Sequence, residues 1–285
     1  MSGFRYERPG SIAEATALLG AAPGRARILA GGTDLMVAMR AGVLRPDLLV
    51  DVKRIPGLSD IDWAGDGSLV LGACVPVQRL ADEARIRQTF AALAAGADAI
   101  GSLQIRWRAT LGGNLANASP CMDTAPPLLV LGARLRVVGP KGGREIPLSE
   151  FFRGVKQTSL AADEMLTAVV VPAPAAGLRT AFDKVKRIFG HDLALVNAAA
   201  TFDPAARTLR LAIGSCGTTP VLAPALAGVD PAADAGAVGT RLAALAFEHI
   251  CPIDDVRASA EYRRDMAAML CRRLAARLLD DPRGR

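Results

Sequence analysis

The residues best suited to chemistry lie at positions 109–123, ATLGGNLANASPCMD, where glycines stand beside hydroxyl, amide and carboxylate side chains. Gly112 and Gly113 permit close backbone approach and positive φ, while Thr110, Asn114, Asn117, Ser119 and Asp123 offer short polar contacts. A polyanion suits such a surface. Consecutive amides in turns form concave donor arrays for phosphate oxygens, and a helix following Pro120 points its N-terminal amides the same way. An ordinary surface loop has the same composition. A second stretch repeats the chemistry: positions 27–35, RILAGGTDL, read as a short apolar strand, a double-glycine turn at Gly31 and Gly32, and Thr33 as N-cap of a helix. Two such turns are able to close on the two phosphates of a dinucleotide, with the Thr33 and Thr110 hydroxyls donating to phosphate oxygens.

Other catalytic constellations are poorly supported. The two histidines, His191 and His249, belong to no H-E-x-x-H pattern and pair with no candidate cysteine nucleophile. No G-x-G-x-x-G follows a strand and no G-x-x-x-x-G-K-[ST] occurs, which removes the Rossmann and P-loop readings. Cys74, Cys121, Cys216, Cys251 and Cys271 lie far apart without a C-x-x-C pair, so no thiol-ligated metal or cluster is expected in this chain, and no catalytic or metal residue is assigned. Trp107, between Arg106 and Arg108, suits a cation–π contact or packing at an edge.

The elements that must position the two stretches follow from the flanking pattern. Ser11 to Glu14 is a capping box starting a helix through about Leu19. After Pro23-Gly24 come a strand at 26–30, the glycine turn, a helix at about 34–41 and a strand at 48–52, a small parallel βαβ unit with its turn at the ligand-binding end of the first strand. From Pro56 the pattern changes to short strands, a helical run at 78–96, and strands at 133–138 and 165–171 around the Pro140 to Gly143 hairpin signal. Pro172 to Gly177 reads as a linker. Beyond it, strands at 179–188, 194–202 and 208–215 form a meander, and a helix over 255–279 presents Tyr262, Met266, Leu270, Leu274 and Leu278 on one face. Arg257, Arg263, Arg264, Arg272 and Arg277 occupy its other face, solvated or docked to an acidic partner.

With 285 residues, 51% hydrophobic and 22% charged, the chain suits two modest domains or one large one, either able to bury a sizeable core. The net charge of +6 permits an anionic ligand without demanding nucleic acid. No apolar run reaches the roughly 20 residues of a membrane span, and the N-terminus has no signal-peptide pattern, so a cytoplasmic protein is expected.

Together, AGGTDL and TLGGNLANASPCMD resemble the FAD-binding subunit of the molybdenum hydroxylases, the medium subunits of carbon monoxide dehydrogenase and bacterial xanthine dehydrogenase-like enzymes. The resemblance continues through FFRGVKQTSLAADEMLTAVVVP, KVKRIFGHDLALVNAAATF and DDVRASAEYRR, and so covers nearly the whole chain. It implies FAD in this chain, and [2Fe–2S] clusters and molybdopterin in a small and a large partner subunit. The chain then accepts electrons from the clusters and passes them to an external acceptor, and heterotrimers are free to pair as dimers. Carried over residue by residue, Leu29, Ala30, Gly31, Gly32, Thr33, Asp34 and Leu35 wrap the pyrophosphate, and Ile100 and Gly101 lie beside the flavin. Thr110, Gly112, Gly113, Asn114 and Ala116 line the diphosphate and ribityl chain, and Leu166 packs near the adenine. Lys184 reaches toward the flavin. Asp123, which as a carboxylate repels phosphate, accepts from ribityl or ribose hydroxyls, or else caps a helix. One departure is visible: where relatives often have K-x-x-x-R after this lysine, Ile188 occupies the arginine position. Phe189 then shields one flavin face or belongs to the core, and His191 is structural or a hydrogen-bonding neighbour.

The expected fold is α+β. A two-part FAD-binding domain (1–175) combines a parallel βαβ subdomain (about 1–55) with a mainly antiparallel β subdomain with helices (56–175), and a C-terminal domain (178–285) carries an antiparallel sheet and helical bundle. Two rival readings remain from sequence: a stand-alone flavin oxidoreductase of similar fold, and a nonenzymatic nucleotide-binding adaptor.

Overall fold

In the computed structural model, which describes residues 3–188 and 190–280, β1 (Arg5–Glu7), β2 (Ala26–Leu29) and β3 (Leu48–Asp51) form a parallel sheet ordered β1-β3-β2. β3 is central and buried along its whole length, as its apolar LLV run requires. β1, polar and without alternation, was not expected and is recruited by pairing with β3. Between the strands, α1 (Ile12–Ala21) starts at Ser11, whose Oγ accepts from Glu14 N at 3.2 Å, while Glu14 Oε2 accepts from Gly10 N at 2.8 Å. α2 (Leu35–Arg40) follows the first glycine turn. Its N-cap position is Asp34, in helical conformation and without a side-chain cap bond, so the expected cap at Thr33 does not form.

The second layer is an antiparallel sheet ordered β4-β5-β10-β6-β7, built from β4 (Ile61–Trp63), β5 (Leu69–Gly72), β6 (Arg134–Gly139), β7 (Gly142–Pro147) and, further along the chain, β10 (Met165–Val171). A small hairpin, β8 (Phe152–Gly154) with β9 (Gln157–Thr158), lies beside it in sequence. The helical run expected at 78–96 is three helices: α3 (Val77–Asp82), α4 (Ala84–Thr89) and α5 (Ala91–Asp98). The breaks fall at Glu83, which is extended, and at Phe90, which leaves the helix to bury its ring in a stack 5.8 Å from Trp63. Tertiary burial of one aromatic ring outweighs helical continuity there. Three further short helices follow: α6 (Leu103–Arg106), α7 (Leu111–Ala116) and α8 (Ala125–Val130). Leu71, Leu93, Leu111, Leu128, Leu135 and Val169 meet in one core under these helices.

The third layer is a sheet ordered β11-β12-β13-β14, from β11 (Arg179–Val185), β12 (Val196–Asp203), β13 (Thr208–Gly214) and β14 (Val221–Leu222). It is covered by α9 (Ala235–Phe247) and α10 (Ala260–Leu279). β12, VNAAATFD, is buried at every residue but the last, and its side chains alternate: Ala199 joins the core of the preceding layer, whereas Ala198, Ala200 and Phe202 join that of α9 and α10. α10 begins later than expected, capped by Ser259, whose Oγ accepts from Tyr262 N at 3.1 Å. The basic face also needs correction. Arg263 is 2% exposed and donates to Leu195 O and to Asp255 Oδ1, the latter at 2.8 Å, while Arg257 precedes the helix and pairs with Asp255. Arg277 turns back to Asp183 at 3.0 Å.

Among the described residues no helix is long and apolar enough to cross a membrane, and no group of three His, Cys, Asp or Glu side chains is placed to hold a metal ion.

Candidate functional site

The first glycine turn leaves β2 at the C-terminal edge of the parallel sheet, where strand ends leave space for ligands. That edge is braced. The Tyr6 hydroxyl donates to Asp51 Oδ2, and Lys53 Nζ lies 2.7 Å from Asp51 Oδ1. Burial by itself raises the Asp51 carboxyl, but the bonds from Lys53 and Tyr6 hold it below the usual range. Within the turn, Gly32 has φ +75°, a conformation that only glycine adopts without strain. Gly31 is needed for a different reason: a β-carbon on it would sit 2.0 Å from Arg108 O and 2.9 Å from Ala109 Cα. The two glycine stretches are therefore direct neighbours, joined through the backbone that leads into Thr110.

Among the described residues, the amides of Gly31, Gly32, Thr33, Asp34 and Leu35 donate to no protein acceptor; the helical ladder first closes at Met36 N to Gly32 O, 3.0 Å. Most of this segment is half-buried. Consecutive partly shielded donors of this kind call for an external acceptor, and a diphosphate supplies several in one group.

The second stretch behaves otherwise. The expected turn at Gly112 and Gly113 is the first turn of α7, neither glycine has positive φ, and the amides from Leu111 to Asn114 are all bonded within the protein. Leu111 N donates to Val75 O at 3.0 Å, Gly112 N to Ala73 O at 2.8 Å, and Asn114 N to Thr110 O at 2.9 Å. Gly113 N donates to Thr110 Oγ1 at 3.1 Å, which makes Thr110 the N-cap. An amide cradle does not exist here. Gly112 is packed against Ala73, whose Cβ would be 2.6 Å from an added β-carbon; at Gly113 an added β-carbon would meet only Thr110 Oγ1, at 2.8 Å. Gly113 and Ala116 are exposed, and Asn114 Oδ1 accepts from Thr124 Oγ1 at 2.6 Å.

Asp123 and Lys184, far apart in sequence, form an ion pair of 2.7 Å with side chains 6% and 7% exposed. Lys184 Nζ also donates to Ala99 O at 3.0 Å, which sets the ammonium against the residue preceding Ile100 and Gly101. Asp123 Oδ1 accepts from Asn197 Nδ2 at 2.6 Å. Burial raises the Asp123 carboxyl above its ordinary range, against the opposing pull of Lys184 and Asn197. Asp123 caps no helix; the N-cap position of α8 is Thr124.

Gly101, with φ +48°, lies against Ile105 and the His191 ring: an added β-carbon would be 3.5 Å from His191 Cδ2. Phe189 lies outside the described residues. Ile188 is exposed, and Arg187 pairs with Asp192 at 3.2 Å. Leu166 is 6% exposed in the core of the second layer, and Thr167 O beside it accepts from Ala73 N at 2.9 Å, one step from Gly112. Burial pushes the Cys74 thiol up to about 11 and those of Cys216 and Cys271 up to about 12, which leaves all three as inert thiols.

The structure thus gathers the Gly31–Leu35 amides, the Thr110 helix start, and the group of Lys184, Asp123 and Ala99. The sequence reading missed Asn197. Its signal was a single amide side chain in an otherwise small and apolar strand, VNAAATF.

Comparison with known proteins gives this arrangement its family. Residues 2–174 match the model described as the FAD binding domain in molybdopterin dehydrogenase, and residues 180–278 the CO dehydrogenase flavoprotein C-terminal domain. The chain is 33% identical over 285 residues to the carbon monoxide dehydrogenase medium chain of Afipia carboxidovorans, covering 96% of each. It is 33% identical over 220 residues to the xanthine dehydrogenase FAD-binding subunit of Escherichia coli O157:H7, covering 76% of this chain and 75% of the relative. A chain of reconstituted CO dehydrogenase from Oligotropha carboxidovorans superposes with a TM-score of 0.91 at 31% identity, covering 98% of both. One of quinoline 2-oxidoreductase from Pseudomonas putida 86 does so at 0.89 and 28% identity, covering 98% and 97%. The mixed α/β architecture, with its parallel three-stranded sheet and antiparallel layers, is that of these structures, and the chain belongs to the FAD-binding subunits of the molybdenum hydroxylase family of oxidoreductases.

Proposed function

We propose that this chain is the FAD-carrying electron-transfer subunit of a heterotrimeric molybdenum hydroxylase. A small iron–sulfur subunit delivers electrons from a large molybdopterin subunit, which oxidises the substrate, and this chain passes them to an external acceptor. Bound FAD supplies the redox chemistry, accepting electrons and releasing them. The chain's own residues bind, orient and polarise. In this reading residues 1–175 hold the cofactor and 178–285 complete its surroundings.

The observation that carries the reading is the run of amides from Gly31 to Leu35, unpaired among the described residues, beside the capped start of α7. Those amides take the diphosphate, with Leu29 and Ala30 leading into the turn. Thr110, whose hydroxyl proton is free to donate while its oxygen caps α7, works with Gly113, Asn114 and Ala116 along the diphosphate and ribityl chain. Gly112 acts from behind, setting α7 close to Ala73. Ile100 and Gly101 form the wall beside the flavin, and the Lys184 ammonium at Ala99 O favours negative charge there. Asp123 keeps unused lone pairs on both oxygens for ribityl or ribose hydroxyls, and Leu166 supports the adenine end from the core.

The test is flavin content. The purified complex is expected to be yellow with FAD released by acid, together with partner chains bearing iron–sulfur and molybdopterin groups. Gly113→Val adds bulk at an exposed helical position, its β-carbon 2.8 Å from Thr110 Oγ1, and should yield protein that still folds, by circular dichroism, but holds no flavin. Full occupancy in that variant would overturn the pyrophosphate assignment; turnover by this chain alone would overturn the subunit assignment.

A further inference from the structure

Lys184, Asn197 and Gly214 lie in one row across the third sheet: Lys184 pairs with Asn197 between β11 and β12, and Asn197 with Gly214 between β12 and β13. The row faces the loop that ends in Asp123. Lys184 and Asn197 each grip one carboxylate oxygen, and Asn197 Nδ2 also donates to Met122 O at 3.2 Å. Ser215 N, next after Gly214, donates to Pro120 O at 2.9 Å. Asn197 is fully buried, yet its Oδ1 has no hydrogen-bond partner, a costly state for an amide. That oxygen lies 2.1 Å from where a β-carbon on Gly214 would stand. The missing side chain at Gly214 is what lets the amide lie in this orientation, with its oxygen unsatisfied and its nitrogen delivered to Asp123. A strand that needed only packing would carry alanine at 197, as it does at 198, 199 and 200.

We propose that Asn197 is a positioning residue of the cofactor site. With Gly214 clearing space for it, Asn197 holds the Asp123 carboxylate in the one orientation that seats the Lys184 ammonium against Ala99 O, beside Ile100 and Gly101. Asn197 donates to Met122 O and Asp123, not to Ile100 or Gly101, and acts through Asp123 and Lys184. The inference rests on the reading that FAD lies against this segment, and it adds what fixes the charge there.

The charged groups facing Asp123 are Lys184 from β11 and, two residues on, Lys186. Replacing the neutral amide by an acid of the same shape places two carboxyl groups against one ammonium. The pair then holds a shared proton at low pH and loses it at high pH, adding a buried negative charge beside a polyanionic cofactor.

The experiment uses the full-length chain, stripped of flavin and titrated with FAD across pH, with folding monitored by circular dichroism. The wild type should bind FAD with little pH dependence. N197D should bind with near-wild-type affinity at about pH 6 and about tenfold more weakly, or worse, by about pH 9, following loss of the shared proton. G214A, which pushes the amide aside without adding charge, should weaken FAD binding by a similar factor at every pH, with no slope. Should either variant fail to fold, the other decides. An N197D profile parallel to wild type, or full FAD affinity in G214A, overturns the positioning role while leaving FAD binding intact. A wild-type chain that binds no FAD overturns the underlying reading instead.

Discussion

The two double-glycine stretches look alike in sequence and do opposite things with their backbones. In AGGTDL the chain turns through a left-handed Gly32 and, among the described residues, five amides are left without protein partners. In TLGGNL the chain is already helical and the amides from Leu111 to Asn114 are bonded to Val75, Ala73 and Thr110. The first stretch offers donors, whereas the second offers a smooth, close-packed surface. Even within each pair the glycines differ: Gly31 and Gly112 admit a neighbouring backbone, Gly32 supplies a dihedral angle, and Gly113 leaves room for the Thr110 hydroxyl that caps α7. A glycine pair therefore reports close approach, and its surroundings decide whether the approaching object is a ligand or the protein itself.

The two stretches also differ in anchoring, and the largest expected effect breaks that difference. The second stretch ends in Asp123, tied to the third sheet by Lys184. Lys184→Met leaves Asp123 buried without its counter-ion and should cost about 3–5 kcal/mol in denaturant unfolding, with Asp123→Asn in the same chain recovering part of the loss. If Lys184→Met is as stable as the wild type, the pair contributes nothing and the anchoring contrast falls.

Next come the packing glycines. Gly31→Ala and Gly112→Ala drive a methyl group into backbone that has little room to yield, at 2.0 Å from Arg108 O and 2.7 Å from Ala73 O. Each should lower stability by about 1–3 kcal/mol, measured on flavin-free protein. A neutral Gly31→Ala would show that the two stretches are not pressed together. The smallest effect is expected at Gly32. An added β-carbon meets only side-chain atoms, Leu29 Cδ1 at 3.1 Å and Met36 Cγ at 3.3 Å, so Gly32→Ala bears chiefly the cost of φ +75°. That cost is about 1–2 kcal/mol. Because the strain falls on the donor-bearing turn, FAD affinity should drop in Gly32→Ala by more than in Gly112→Ala, once both are compared as folded protein. Equal losses would erase the distinction between donor turn and packed helix.

Much of this was legible in the chain itself. The run LLV, the Ser11 to Glu14 box and the β-branched stretch MLTAVVV each carry a local signal strong enough to place β3, α1 and β10. Phe90 carries no such signal: its helix ends because Trp63, distant in sequence, offers a ring to stack on. Helical periodicity puts Arg263 on a face that is solvated or docked to an acidic partner, but carbonyls from Leu195 and Ser215 and the Asp255 carboxylate draw it inside. At the site, Lys184 and Asp123 were singled out separately, each for a contact with cofactor. Their contact with each other, and Asn197 behind it, depends on register between β11, β12 and β13, which no local pattern encodes.

What the sequence determined by itself was chemistry: glycine where backbone must come close, with hydroxyl and amide groups around it. What only the tertiary structure decided was which donors are free. A backbone amide is identical in every residue but proline, and its availability depends on whether a carbonyl from elsewhere in the chain reaches it first. Ala73 and Val75 reach the amides of α7; among the described residues nothing reaches those of Gly31 to Leu35.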